Sequence, residues 1–322
     1  MTIVGFHASH EQLPPARLLQ AVQHAEEAGF DAAMCSDHLA PWSVRQGESG
    51  YAWSWLGSAL QATGLPFGVV TAPGQRYHPT LTAQAAATLA SMYPGRFWAA
   101  LGSGEALNEH VTGEPFPPKD ERDARLRESV DVIRRLLRGE EVTTDGLVRV
   151  DRARIWSLPE VPAPLLIAAV STETARDGAE WADGLITVDQ PRDALRAVID
   201  AYRDAGGHGP TAVQVHLSWA PTDEEARAIA HEQWRSGLVP APLAWELDTP
   251  QAFDERTADA SPDDVAETVQ VSADPANHLA KLAELADLGF DRIFLHHVGT
   301  EQDAFIDVFG EHVLPELKAV GR

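Results

Sequence analysis

The chain has 322 residues, 44% hydrophobic and 23% charged, the proportions of a globular protein with a sizeable core rather than of a disordered chain. Its formal net charge of −23, spread along the sequence, leaves no basic face of the kind nucleic acid binding needs. The single cysteine, Cys35, excludes an intrachain disulfide and a cysteine-rich zinc site. With no basic-then-apolar leader in residues 1–9 and no uninterrupted run of about 18 apolar residues, the expectation is a cytoplasmic protein without a membrane helix.

Short β-type runs alternate with longer helical patterns almost from end to end, the signature of repeated βα units. The first run is 3–8, followed by a helix over 15–28 whose Leu18, Leu19, Val22 and Ala25 share one face. The second is 30–35, a polar and aromatic loop spans 37–52, and a helix follows over 53–63. The third, 66–71, precedes a helix over 79–92; the fourth, 96–101, precedes one over 120–137. A hairpin-like insertion, 141–156, leads to the fifth run at 164–170, the sixth at 184–188, the seventh at 212–219 and the eighth at 292–297. Eight such units predict an α/β TIM (β/α)8 barrel occupying residues 1–322 as one domain. Residues 236–271 break the rhythm ahead of a helix over 275–288. They are predicted as an insertion between the seventh and eighth units, either a lid over the barrel mouth or a disordered loop.

In such barrels the active site is built at the carboxyl ends of the strands, so the residues after each run are the candidates. Asp37 and His38 follow the second run with Pro41-Trp42 close behind, which sets a proton-transfer group beside an aromatic wall. Ser103-Gly104-Glu105 follows the fourth in a glycine-flanked turn. Two readings of Glu105 stand open: a partly desolvated acid, or a cap for the next turn. His296 and His297 end the eighth run, and either could serve the floor or the rim. No phosphate-binding loop, nucleophile elbow or His-Glu-x-x-His helix is present, and Gly102-x-Gly104 lacks the third glycine of a dinucleotide fingerprint. A metal site from His7, His10, Asp37 and His38 remains a rival, although the His-x-His of barrel amidohydrolases is missing.

At these positions the chain resembles the luciferase-like superfamily, and within it the branch of deazaflavin-dependent glucose-6-phosphate dehydrogenases. The resemblance rests on Ala8-Ser9-His10-Glu11-Gln12, Ser36-Asp37-His38 with Pro41-Trp42, Arg76-Tyr77-His78-Pro79, Tyr93-Pro94-Gly95-Arg96 and Gly102-Ser103-Gly104-Glu105-Ala106-Leu107-Asn108-Glu109. It implies an enzyme that moves a hydride between a small organic substrate and either FMN or the deazaflavin coenzyme F420. By the same resemblance His38 is the base on the substrate hydroxyl, Glu105 an acid near the cofactor, and Trp42 the residue that steadies the intermediate. Asp37, Val69, Val70, Ser103, Glu105, Asn108 and the turn Ala168-Ala169-Val170-Ser171 are expected to hold the cofactor, with a non-proline cis peptide at Val69-Val70. Glu11, Trp42 and His297 are expected on the substrate side. The family also implies a homodimer, and an oxygenating member would need a flavin reductase as partner.

Two departures shape the expectation. Where the dehydrogenases place a phosphate-gripping lysine after the sixth strand, this chain has Asp189-Gln190-Pro191, and their later arginine falls near Thr268. Losing both cations argues against glucose 6-phosphate. The glycines of their cofactor-phosphate turn are replaced at Val170 and Ser171, which favours FMN over F420. Rival readings are a two-component monooxygenase and a non-catalytic flavin-binding barrel of the same fold.

Overall fold

The structure is a computed structural model that describes residues 2–320; Met1 and residues 321–322, the ends of the expected 1–322 domain, lie outside the described residues. Among the described residues eleven strands occur in chain order: β1 Ile3–Ala8, β2 Ala32–Ser36, β3 Phe67–Thr71, β4 Phe97–Leu101, β5 Val142–Asp145, β6 Arg149–Ala153, β7 Leu165–Ala168, β8 Leu185–Val188, β9 Thr211–Ser218, β10 Gln270–Val271 and β11 Arg292–His297. Parallel pairing runs β9-β11-β1-β2-β3-β4-β7-β8 and returns from β8 to β9, which closes an eight-stranded barrel. The barrel strands are mostly apolar on both faces below the cavity, because one side meets the barrel interior and the other a layer of helices. β5 and β6 pair antiparallel, as the 141–156 hairpin predicts.

Large and small residues alternate on the inner face. Ala32, Met34, Trp98, Ala100, Leu166, Ile186, Ala212 and Phe294 fill the amino-terminal half of the barrel as a solid floor. Two glycines make room for its rings: a Cβ on Gly68 would lie 1.9 Å from the Trp98 indole, and one on Gly5 would lie 2.3 Å from Phe294. The floor stops the interior below the carboxyl ends, where the cavity begins. Outside, amphipathic helices seal the strands. Along Arg192–Asp204 the apolar residues Leu195, Val198, Ile199 and Tyr202 are the ones that bury. Helices starting at Pro15, Pro79, Pro250, Pro262 and Pro275 use proline in the first turn, where a backbone N–H would have no partner.

The 236–271 segment is folded. After the helix Asp223–Trp234 it forms short helices at Leu243–Glu246, Pro250–Arg256 and Pro262–Ala266, then β10, which pairs with Leu217 and Ser218 at the carboxyl end of β9. The helix Pro250–Arg256 is pinned to the loop after β2: Arg45 Nη2 lies 2.6 Å from Asp254 Oδ1, and Val44 N donates to Asp254 Oδ2 at 3.1 Å. Beneath that clamp Phe253, Leu107 and Val239 form a small apolar cluster with Trp42 against it.

One expectation is corrected here. The Val69-Val70 peptide is trans, and Ala241-Pro242 is the cis bond among the described residues. β3 stays in regular register on β2 and β4 through this point, with Cys35 opposite Val69 and Ser36 opposite Val70, and the ladder continues as Asp37 N donates to Val70 O at 2.9 Å. A cis bond between two β-branched residues would cost about 3 kcal/mol, with no proline to relieve it.

Candidate active site

Above the floor, at the carboxyl ends of the strands, lies a cavity of about 750 Å³. Its lining is divided. Val70, Ala168, Ala169, Val170, Ile186 and Val188 form an apolar wall from β3, β7 and β8. His7, Glu11, His38, Gln214, His216 and His296 form a polar wall from β9, β11, β1 and the loops after β1 and β2.

His38 stands between two carboxylates. Its Nδ1 is 2.5 Å from Glu11 Oε1 and its Nε2 is 3.2 Å from Glu105 Oε1. Burial by itself would strip the proton from His38, but the charge of Glu11 and the bond to Glu105 outweigh it and hold the imidazole protonated. Burial would likewise push the Glu11 carboxyl up, yet His38 and the 2.7 Å bond from Ser9 Oγ hold it ionised. Glu105 receives a further 2.7 Å bond from Asn108 Nδ2, and Asn108 Oδ1 accepts from Leu39 N at 2.6 Å, tying the β2 and β4 loops together. Glu105 occupies the N-cap position of the helix Ala106–Glu109 but makes no side-chain cap bond, so the carboxylate is free to face His38. Trp42 meets His38 edge to face at 5.2 Å and is backed in the same way by Phe253 at 5.4 Å.

Asp37 lines the cavity, but its acceptor positions are taken by protein donors. Oδ2 accepts from Trp53 Nε1 at 3.0 Å and Thr71 Oγ1 at 2.9 Å; Oδ1 accepts from Tyr77 Oη at 3.1 Å and lies 3.4 Å from Arg76 Nη2. Its side chain is wholly buried, which makes it the anchor of the rim. Glu109 supports the same rim by accepting from the backbone N–H groups of Gln75 and Arg76 at 2.6 and 2.7 Å.

Of the other expected residues, Val70, Ser103, Ala168, Ala169 and Val170 line the cavity. Val69 and His297 do not, and both expectations are corrected by strand alternation. Val69 points outward into the main core, whereas Val70 faces the cavity. His297 stacks on Phe305 of the helix Asp303–His312 at 4.8 Å, and His296 is the inward neighbour. Ser171 caps the helix Thr172–Gly178 by accepting from Thr174 N at 3.2 Å. His10 packs against the Trp55 ring, and among the described residues no three His, Cys, Asp or Glu side chains form a metal-ligand group.

Sequence reasoning missed three features. The pairing of Glu11 with His38 spans 27 residues and has no local signal. Lys281, on the helix Pro275–Asp287, reaches the cavity and pairs with Asp189 at 3.3 Å, so a cation is present but already neutralised. Gln214 and His216 alternate along β9 and both face inward, a period-2 pattern that the seventh run displays but that points to no chemistry by itself.

The luciferase-like monooxygenase family model matches residues 1–292. An F420-dependent glucose-6-phosphate dehydrogenase of Nakamurella multipartita is 37% identical over 98% of this chain and 96% of its own length. An F420-dependent hydroxymycolic acid dehydrogenase of Mycobacterium tuberculosis is 35% identical over 98% of this chain and 88% of its own. Among solved structures, an F420-dependent secondary alcohol dehydrogenase in complex with an F420-acetone adduct superposes with a TM-score of 0.91 at 29% identity, covering 100% of this chain and 99% of that one.

Proposed function

The chain belongs to the luciferase-like monooxygenase family as one of its oxidoreductases, and from that premise we propose that it is an F420-dependent dehydrogenase interconverting an uncharged secondary alcohol and its ketone. The observation that carries this reading is His38 held between Glu11 and Glu105 at the mouth of a half-apolar cavity. The relatives named for F420 replace the sequence-based preference for FMN.

The cavity suits a flat tricyclic ring. Val70, Ala168, Ile186 and Val188 would hold it with few polar atoms to desolvate, and Gly102 leaves the backbone open, since a Cβ there would meet only Ala168 Cβ at 3.8 Å. When bound, F420 supplies a ring carbon that accepts or returns a hydride. The chain's own residues manage the accompanying proton. Release of the Nε2 proton of His38 to solvent by way of Glu105 leaves Nδ1–H bonded to Glu11 and a lone pair on Nε2, which takes the hydroxyl proton of an alcohol as its C–H hydride departs. In the reverse direction the imidazolium gives that proton to the ketone oxygen. Trp42 fixes the imidazole plane and, with Phe253, keeps water from the same face.

Substrate charge is read from the polar end. Lys281 is neutralised by Asp189, so a phosphate dianion reaching it would meet an ion pair rather than a free ammonium. The test is to titrate the purified protein with F420 and with FMN, then to follow F420 reduction with cyclohexanol and with glucose 6-phosphate. F420 binding and reduction by the alcohol alone are expected. Binding of FMN only, or turnover of the sugar phosphate only, would overturn the reading.

A further inference from the structure

The polar wall holds more hydrogen-bonding groups than the proton transfer uses. On β9, Gln214 Nε2 donates to His216 Nε2 and to His296 Nδ1, both at 3.2 Å. His296 Nε2 is 2.7 Å from Gln12 Oε1, and Gln12 Nε2 in turn donates to Val298 O, so the amide of Gln12 is fixed with its oxygen towards the ring. An amide nitrogen only donates, so the network assigns the tautomers: His296 carries its proton on Nε2 and His216 carries its own on Nδ1. The rings are packed in place. His296 stacks on His7 at 4.3 Å, and His216 lies 4.5 Å from the Trp234 indole.

Burial lowers His7 to about 3 and His216 to about 4, and drives His296 well below its ordinary value, so the array is neutral at physiological pH. Besides His7 Nδ1, which is buried without a partner, the Nδ1–H of His216 and the Oε1 of Gln214 make no hydrogen bond to another described residue. Both side chains line the cavity, one offering a donor and the other an acceptor. A hydroxyl on a neutral ligand satisfies both at once, taking the place of a water molecule that would do the same. A carbonyl or ether would leave the donor or the acceptor unpaired, at the cost of its desolvation.

We propose that Gln214 and His216 form a second substrate subsite that receives a hydroxyl group other than the one at the reacting carbon, so that the preferred substrate is an uncharged diol or polyol. This rests on the alcohol dehydrogenase reading and names its substrate class. The subsite borders the apolar wall, Gln214 being the register partner of Val188, and His38 lines the same cavity, so one molecule can present one hydroxyl to His38 and another to β9.

Binding can be measured on the protein as purified, without coenzyme, and so separately from turnover. The probes are cyclohexanol and the 1,2-, 1,3- and 1,4-cyclohexanediols, titrated with Trp fluorescence as readout, Trp234 being the neighbouring reporter. At least one diol should bind about tenfold more tightly than cyclohexanol, the gain of one or two neutral hydrogen bonds. In Gln214→Met and, independently, His216→Phe, that diol-to-alcohol ratio should fall to about one. With F420 bound, the same ratio should appear in 1/KM rather than in kcat. Equal binding of all four probes to the native protein, or a ratio unchanged in both variants, overturns the subsite. Failure of F420 to bind while the diol preference persists would instead overturn the dehydrogenase reading and leave the subsite standing.

Discussion

Glu11 Oε1 lies 2.5 Å from His38 Nδ1, with the Glu11 side chain 3% exposed, so one buried carboxylate sets both the charge and the ring orientation of the imidazole proposed to move the proton. The two residues come from different loops, after β1 and after β2, and the barrel closes them into contact. Much of the site's behaviour follows from this pair.

Glu11→Gln removes the charge that holds His38 protonated, and the His38 pKa should drop towards its ordinary value of about 6.5. Alcohol oxidation needs neutral His38, so in the native enzyme kcat/KM for oxidation should rise with pH on the alkaline side. In the variant that rise should shift at least one unit lower, with activity reduced about 100-fold through loss of ring orientation. A kcat/KM profile for alcohol oxidation from pH 6 to 10 checks this; coincident profiles would mean that Glu11 does not govern His38.

Acid should destabilise the fold through its buried neutral histidines. Burial lowers His7 and His297 to about 3 and His10 and His216 to about 4. Because these folded values lie below the unfolded value, their contribution is complete above about pH 6.5 and is lost as pH falls towards 4, by about 1.4 kcal/mol per pH unit for each group. His38 works in the opposite sense: its raised value gives stability that is complete below about 6.5 and is lost only as pH rises through the folded value. Urea unfolding at pH 7.5, 5.5 and 4.5 should therefore show a steep acid-side loss. A flat profile would contradict the neutral assignment.

Asp37→Asn should act on stability rather than on chemistry. It leaves Arg76 without its buried counter-ion and turns an amide N–H towards donors, a loss of about 3 kcal/mol. Denaturant unfolding measures it. If stability is unchanged and only coenzyme affinity falls, Asp37 is a ligand and not an anchor.

Asp189→Asn frees the ammonium of Lys281 at the polar end of the cavity. The variant should gain activity on glucose 6-phosphate by about tenfold and leave turnover of uncharged alcohols little changed. Parallel kcat/KM values for the two substrates provide the check, and an unchanged ratio would remove Lys281 from charge selection.

Arg45→Ala breaks the clamp between the β2 loop and the helix Pro250–Arg256 that backs Trp42. The pair is partly buried, so the variant should raise KM severalfold with a smaller change in kcat. Steady-state kinetics separate the two; a fall confined to kcat would place the clamp in the chemical step.

The alternation of β runs with helical faces determined the barrel, because period 2 and period 3.6 are written locally in the chain. The Asp37-His38 step and the Gly102-Ser103-Gly104-Glu105 block were legible for the same reason, each lying where a strand ends. Tertiary structure decided everything that depends on strand phase or on distant partners. Adjacent side chains on a strand face opposite ways, so the doublets Val69-Val70 and His296-His297 each hold one cavity residue and one core residue, and only the closed barrel shows which is which. Glu11 and Glu105 reach His38 from separate loops, and Lys281 reaches Asp189 from a helix that the sequence marks only as amphipathic. The charge of the His38 imidazole, and the neutrality of those beside it, follow from burial and contact, which no local pattern encodes.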